Sequence, residues 1–135
     1  MTPALAALMA RPDPAFLAGK RVVIYDSESN GLLEADEEKG IRRADKLHCI
    51  QIGDANGDDS VLYGDNPLCD ASMEAGLQRL EEADYIVGQN VIGYDHFIMQ
   101  RFFGDRAPPL SKYLDALVMG RMADPRERNH TLARW

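Results

Sequence analysis

Thirteen residues constrain this chain most, Arg21 to Leu33, reading Arg-Val-Val-Ile-Tyr-Asp-Ser-Glu-Ser-Asn-Gly-Leu-Leu. The apolar run Val22 to Tyr25 predicts a buried strand, closed by two carboxylates one residue apart, Asp26 and Glu28. Side chains on a strand alternate faces, so Asp26 and Glu28 point to the same side. Two like charges side by side are costly unless a cation lies between them. Asn30-Gly31 then turns the chain. One reading is a divalent-metal site at the end of a central strand. The other is a strand end running into a polar loop, because an Asp-x-Glu triplet arises by chance in many proteins.

A chain of 135 residues is one domain's worth. It is long enough to bury roughly two thirds of its unfolded surface, so folding needs no disulfide or structural metal. The net charge of −7 argues against nonspecific grip on duplex nucleic acid by this chain alone. It leaves a nuclease open, since a metal site needs surplus carboxylates. Cys49 and Cys69 fit no zinc spacing and are too few for a disulfide scaffold, so free thiols in a reducing compartment are expected. The N-terminus lacks the basic start of a signal peptide, and no stretch approaches the ~20 apolar residues of a membrane span. The expectation is a cytoplasmic location with no membrane partner.

Residues 1–20 are expected to form an N-terminal extension, with a short helix from Pro3 to Ala10 that Pro12 and Pro14 stop. Residues 21–135 form the domain proper. After the first strand, the charged run 34–46 predicts a solvated loop. Leu47 to Gly53 and Ser60 to Tyr63 predict two further strands, and Asn56-Gly57 between them predicts a hairpin. Residues 70–82 carry Met73, Leu77 and Leu80 at helical spacing, with Asp70 or Ser72 as cap. Asp84 to Gly88 is a short apolar strand of the kind buried on both faces. Asn90 to Phe103 and Tyr113 to Met122 predict two more helices. The expected fold is α/β: three antiparallel strands plus a parallel strand in a mixed sheet with flanking helices.

At the end of the fourth strand the chain reads Val-Gly-Gln-Asn-Val-Ile-Gly-Tyr-Asp, residues 87–95. In open α/β sheets, ligands gather at the ends of neighbouring strands. If strands one and four are adjacent, Asp95 faces Asp26 and Glu28, and three hard carboxylates suit Mg²⁺ or Mn²⁺.

Residues 25–33, with their Asp-x-Glu, resemble the first motif of DEDD-type 3′–5′ exonucleases. Gln89-Asn90 followed by Tyr94-Asp95 resembles the second. The five-residue step from Asn90 to Asp95 is that of the proofreading domains of podophage family A DNA polymerases; bacterial members usually have four. Leu47 to Ile50, Leu114 to Met122 and His130 to Trp135 also look like segments of those phage domains. The resemblance runs from about residue 21 to residue 135. It implies a ribonuclease H-like fold and hydrolysis of the 3′-terminal phosphodiester with two metal ions, Mg²⁺ or Mn²⁺. Asp26 matches the carboxylate that bridges both ions. Glu28 matches a ligand of the ion that generates the attacking hydroxide, and it touches the terminal nucleotide. Asp95 matches the carboxylate serving the second ion. Leu32 falls where the family packs an apolar residue on the terminal base, and Asn90 where an amide contacts the strand. Tyr94 adjoins Asp95 and is the aromatic here to test for substrate contact. The implied substrate is a single-stranded DNA 3′ end, within DNA replication.

The departure from the family is its third motif, a Tyr or His followed by an Asp on a later helix, which has no counterpart after Asp95. Asp115 is a candidate stand-in, although it matches a different family position. The domain is therefore expected to be partial, incomplete at its C-terminus, with a polymerase domain or a second chain supplying the missing carboxylate. Two alternatives stand beside the exonuclease: a non-cleaving module that binds nucleic acid or a polymerase, and an RNA-directed exonuclease of the same superfamily. Elsewhere the structural readings prevail. His48 is expected in the core or at its boundary, His96 facing away from the site, and His130 in a packed or solvent-facing tail. Phe97, Phe102 and Phe103 are expected in the core. Arg42 and Arg43 are expected on a solvated face, and Arg101 and Arg121 on helix surfaces.

Overall fold

The computed structural model describes residues 17–57 and 59–127. The helix expected from Pro3 to Ala10, and His130 with the end of the tail, lie outside the described residues. Five strands form one sheet: β1 (Val22–Ser29), β2 (Leu47–Asp54), β3 (Ser60–Tyr63), β4 (Tyr85–Gly88) and β5 (Tyr113–Asp115). Their order is β3-β2-β1-β4-β5. The first three are antiparallel neighbours, as the Asn56-Gly57 turn predicts, and β4 joins β1 in parallel, with Val23 opposite Ile86. The α/β mixed sheet with flanking helices is as expected, with one strand more.

That strand corrects the expectation of a helix from Tyr113. Tyr113 to Asp115 pair in parallel with Ile86 to Gly88. Pairing along the free side of β4 satisfies backbone groups that a helix would satisfy internally. It also buries the Tyr113 ring, and the helix starts only at Ala116. The α-helices among the described residues are α1 (Met73–Glu82), α2 (His96–Phe103) and α3 (Ala116–Ala123). No helix among the described residues is long and apolar enough to cross a membrane.

The core lies on one face of the sheet. Val23 and Tyr25 of β1, Ile50 and Ile52 of β2, Tyr63, Ile86 and Tyr113 are buried there with Met73, Leu77 and Leu80 of α1. Ser72 caps α1 by accepting from the Ala75 N–H at 3.1 Å. Gly76 lets the helix approach: a Cβ there would lie 2.8 Å from both Ile50 Cδ1 and Tyr63 Cβ. Arg79, at the end of α1, donates to the Ile52 carbonyl, the Tyr63 hydroxyl, Asp54 and Asp59, tying the β2–β3 hairpin to the helix. The opposite face carries Ile24, Asp26, Glu28 and Gln51, all exposed. His48 is exposed too, at the start of β2, not in the core or at its boundary.

Candidate functional site

Strand alternation places Asp26 and Glu28 on the exposed face of β1, opposite Gln51 and Cys49 of β2. The two carboxylates share a side, as expected. Partial desolvation against the strand raises the Asp26 carboxyl above its usual range, and the Ser27 N–H partly offsets this. The Cys49 thiol is also raised, first by burial and then by Cys69, Glu28 and Asp26.

Asp95 reaches β1 from the other side. After β4, Asn90 takes the left-handed backbone conformation (φ 56°), and Val91 to Asp95 form one wide π-helical turn before α2. The turn delivers a carboxylate only 5% exposed. Its Oδ1 accepts from the Ser27 N–H at 3.2 Å and from the Ser27 hydroxyl. Ser27 stands between Asp26 and Glu28, so Asp95 is tied to the middle residue of the motif. Burial pushes the Asp95 carboxyl up to about 6; the Ser27 hydroxyl opposes the rise and the Asp26 charge adds to it. Nearby, the buried Tyr25 and Tyr113 hydroxyls are raised by burial first and by the Asp95 charge second.

Asp26 and Glu28 therefore suit a divalent cation: two hard carboxylates on one exposed face. Asp95 is held by Ser27 and does not join them in one coordination shell. Among the described residues, no group of three His, Cys, Asp or Glu side chains is placed to hold a metal ion.

The remaining candidates brace the loop between β1 and β2. The Tyr94 hydroxyl donates to the Gly31 carbonyl at 2.8 Å and shares a hydrogen bond with Ser29 Oγ at 2.6 Å. Leu32 exchanges backbone hydrogen bonds with Arg42 and Ala44, and its side chain stays 48% exposed. Asn90 is exposed, with its amide oxygen beside Gly93, where a Cβ would lie 2.5 Å away. Arg42 and Arg43 are exposed, as expected.

Two residues, Arg101 and Phe97, act differently from expectation. Arg101 is not merely on a helix surface; it donates to the Leu33 carbonyl at 2.9 Å and the Ala44 carbonyl at 3.4 Å, tying α2 to the loop. Removing these charge-assisted bonds in Arg101→Ala is expected to cost about 1–2 kcal/mol. Urea unfolding would measure the loss, with faster hydrogen exchange at the Leu32 and Ala44 amides as its local mark. Phe97 is half exposed rather than in the core, while His96 is buried, edge-on to Tyr113 at 5.3 Å. Asp115 is 4% exposed, with both oxygens taken by backbone N–H groups. Its place before an apolar helical run is an N-cap signal legible in the sequence. Ser27 carried no signal of its own.

Fold and site together define an α/β chain with Asp26 and Glu28 on β1 and Asp95 on the turn after β4, where these two parallel strands run side by side. No family model matches the chain, and no curated protein matches it either.

Proposed function

We propose that the chain is a metal-dependent 3′–5′ exonuclease module with a ribonuclease H-like fold, acting on single-stranded DNA 3′ ends. The observation that carries this is the parallel pairing of β1 with β4. It opens the C-terminal ends of both strands at one edge of the sheet, where α/β proteins bind their ligands. The Asp-x-Glu pair and the turn bearing Asp95 both lie there, in the order and spacing that resemble the DEDD exonuclease motifs.

Asp26 and Glu28 would hold a divalent cation, Mg²⁺ or Mn²⁺, and Asp95, kept outside their coordination shell by Ser27, would serve the site through water; bound there, the cation would lower the pKa of an attacking water and stabilise the charge on the leaving oxygen. The chain's own part is placement. Ser27 fixes Asp95 against the strand that carries the pair. Tyr94 and Arg101 brace the loop that presents Leu32, so that an apolar side chain meets the terminal base. Asn90 offers an exposed amide at the turn. Grip along the strand falls to basic surface outside this acidic chain, on a polymerase domain or a partner chain, which also supplies any further carboxylate.

One observation favours a second reading, a module that binds a nucleic-acid end without cleaving it: Asp95 is bonded to Ser27 and not gathered with Asp26 and Glu28. A 5′-labelled single-stranded DNA and the matching RNA, incubated with the chain and Mn²⁺, separate the readings. A ladder of DNA shortened from its 3′ end supports the exonuclease. Retention of DNA without shortening at high protein concentration supports the second reading. Shortening of RNA alone reassigns the substrate.

A further inference from the structure

Asp115 lies at the end of β5, one strand away from β1, yet its carboxylate reaches the turn that carries Asp95. Its Oδ1 accepts from the Asn90 N–H at 3.0 Å, and its Oδ2 from the Ile92 N–H at 3.0 Å. Oδ1 also accepts from the Leu117 N–H at 2.9 Å, capping α3. At 4% exposure, a carboxylate with three backbone donors is a fixed feature of the interior. The donors on the turn matter most. Asn90 is the one described non-glycine residue with a positive φ, and Asn90 and Ile92 flank the start of the π-helical turn. Both are departures from regular helix that persist only when neighbours enforce them. The clamp lies at one end of this turn, and the Ser27–Asp95 contact lies at the other.

We propose that Asp115 is the positioning residue of the site: its two carboxylate oxygens clamp the Asn90–Ile92 turn and thereby fix where Asp95 meets β1. The proposal rests on the exonuclease reading for its catalytic consequence, while the clamp itself is a property of the fold.

Asp115→Ser separates this role from helix capping. Serine caps a helix N-terminus about as well as aspartate, but its single hydroxyl cannot serve Asn90, Ile92 and Leu117 together. In the full chain, Asp115→Ser is expected to stay folded but to melt several degrees lower, because the Asn90 and Ile92 N–H groups lose their carboxylate partner. Hydrogen exchange should speed up at least tenfold at the Asn90 and Ile92 amides and stay unchanged at Leu117. Mn²⁺ binding, titrated with the metal alone, should weaken about 10- to 100-fold, the usual cost of losing a group that orients a ligand. On DNA, kcat should fall by a similar factor with KM within about threefold, as for a lost transition-state arrangement. Wild-type exchange at Asn90 and Ile92, or wild-type Mn²⁺ affinity, in Asp115→Ser overturns the proposal. If the wild-type chain shortens no DNA, the exonuclease reading fails, and the exchange measurement still decides whether Asp115 is the clamp.

Discussion

Asp95→Asn is expected to make the protein more stable at pH 8 while removing the proposed 3′ shortening of DNA. The carboxyl is buried, and burial holds its pKa at about 6, against about 4 for a free aspartate. A carboxylate with a raised folded-state pKa favours folding most when protonated. Its contribution is complete below about pH 3.8, is lost as pH rises through about 6, and is flat above that. The displacement corresponds to about 3 kcal/mol. Asparagine keeps an oxygen that accepts from Ser27 and removes the buried charge. At pH 8 without divalent metal, Asp95→Asn should therefore melt higher by on the order of 10 °C, and its stability should lack the decline between pH 4 and 6 attributable to this group. A saturating cation should narrow the gap, since Mn²⁺ at a hundred times its Kd stabilises the wild type by about 2.7 kcal/mol. Calorimetry across pH, with and without Mn²⁺, checks each part. A variant less stable than wild type at pH 8 contradicts the account of Asp95 as a strained, functional carboxylate.

The second large effect is kinetic. Asp26→Ala removes the carboxylate that the resemblance assigns to both metal ions, and it leaves the core untouched because Asp26 lies on the exposed face of β1. The rate of 3′ shortening should fall about 10³-fold or more, the loss of several kcal/mol of transition-state stabilisation. The melting temperature should stay within a few degrees of wild type. Single-turnover kinetics at saturating Mn²⁺ and DNA measure the loss. Shortening at wild-type rate by a folded Asp26→Ala would assign the activity to another site.

Much of the scaffold was legible in the chain because it rests on local signals. The apolar run at Val22, the Asn56-Gly57 turn and the helical spacing of Met73, Leu77 and Leu80 each specify an element through their own neighbours. β5 was not legible: three residues, Tyr113 to Asp115, are too few to show a period of two, and they run straight into a helix. The direction from which Asp95 approaches was also hidden. Period two places Asp26 and Glu28 together, but a long-range contact decides that Asp95 meets Ser27 on the reverse face. The wide turn from Val91 to Asp95 has no local signature either; it depends on Asp115, some twenty residues on, in an element that sequence alone put in a helix. Arg101 looked like surface because its partners are backbone carbonyls, which carry no sequence signal.

The proposed function stands on a divalent cation held by Asp26 and Glu28, with Asp95 fixed beside them by Ser27. Mn²⁺ titration followed by NMR tests it most directly, because the paramagnetic ion broadens resonances near its site. Saturable broadening is expected around Asp26 and Glu28, with affinity lowered at least tenfold in both Asp26→Ala and Asp95→Asn. Wild-type Mn²⁺ affinity in a folded Asp26→Ala or Asp95→Asn, or no saturable broadening around Asp26 and Glu28, would rule this site out.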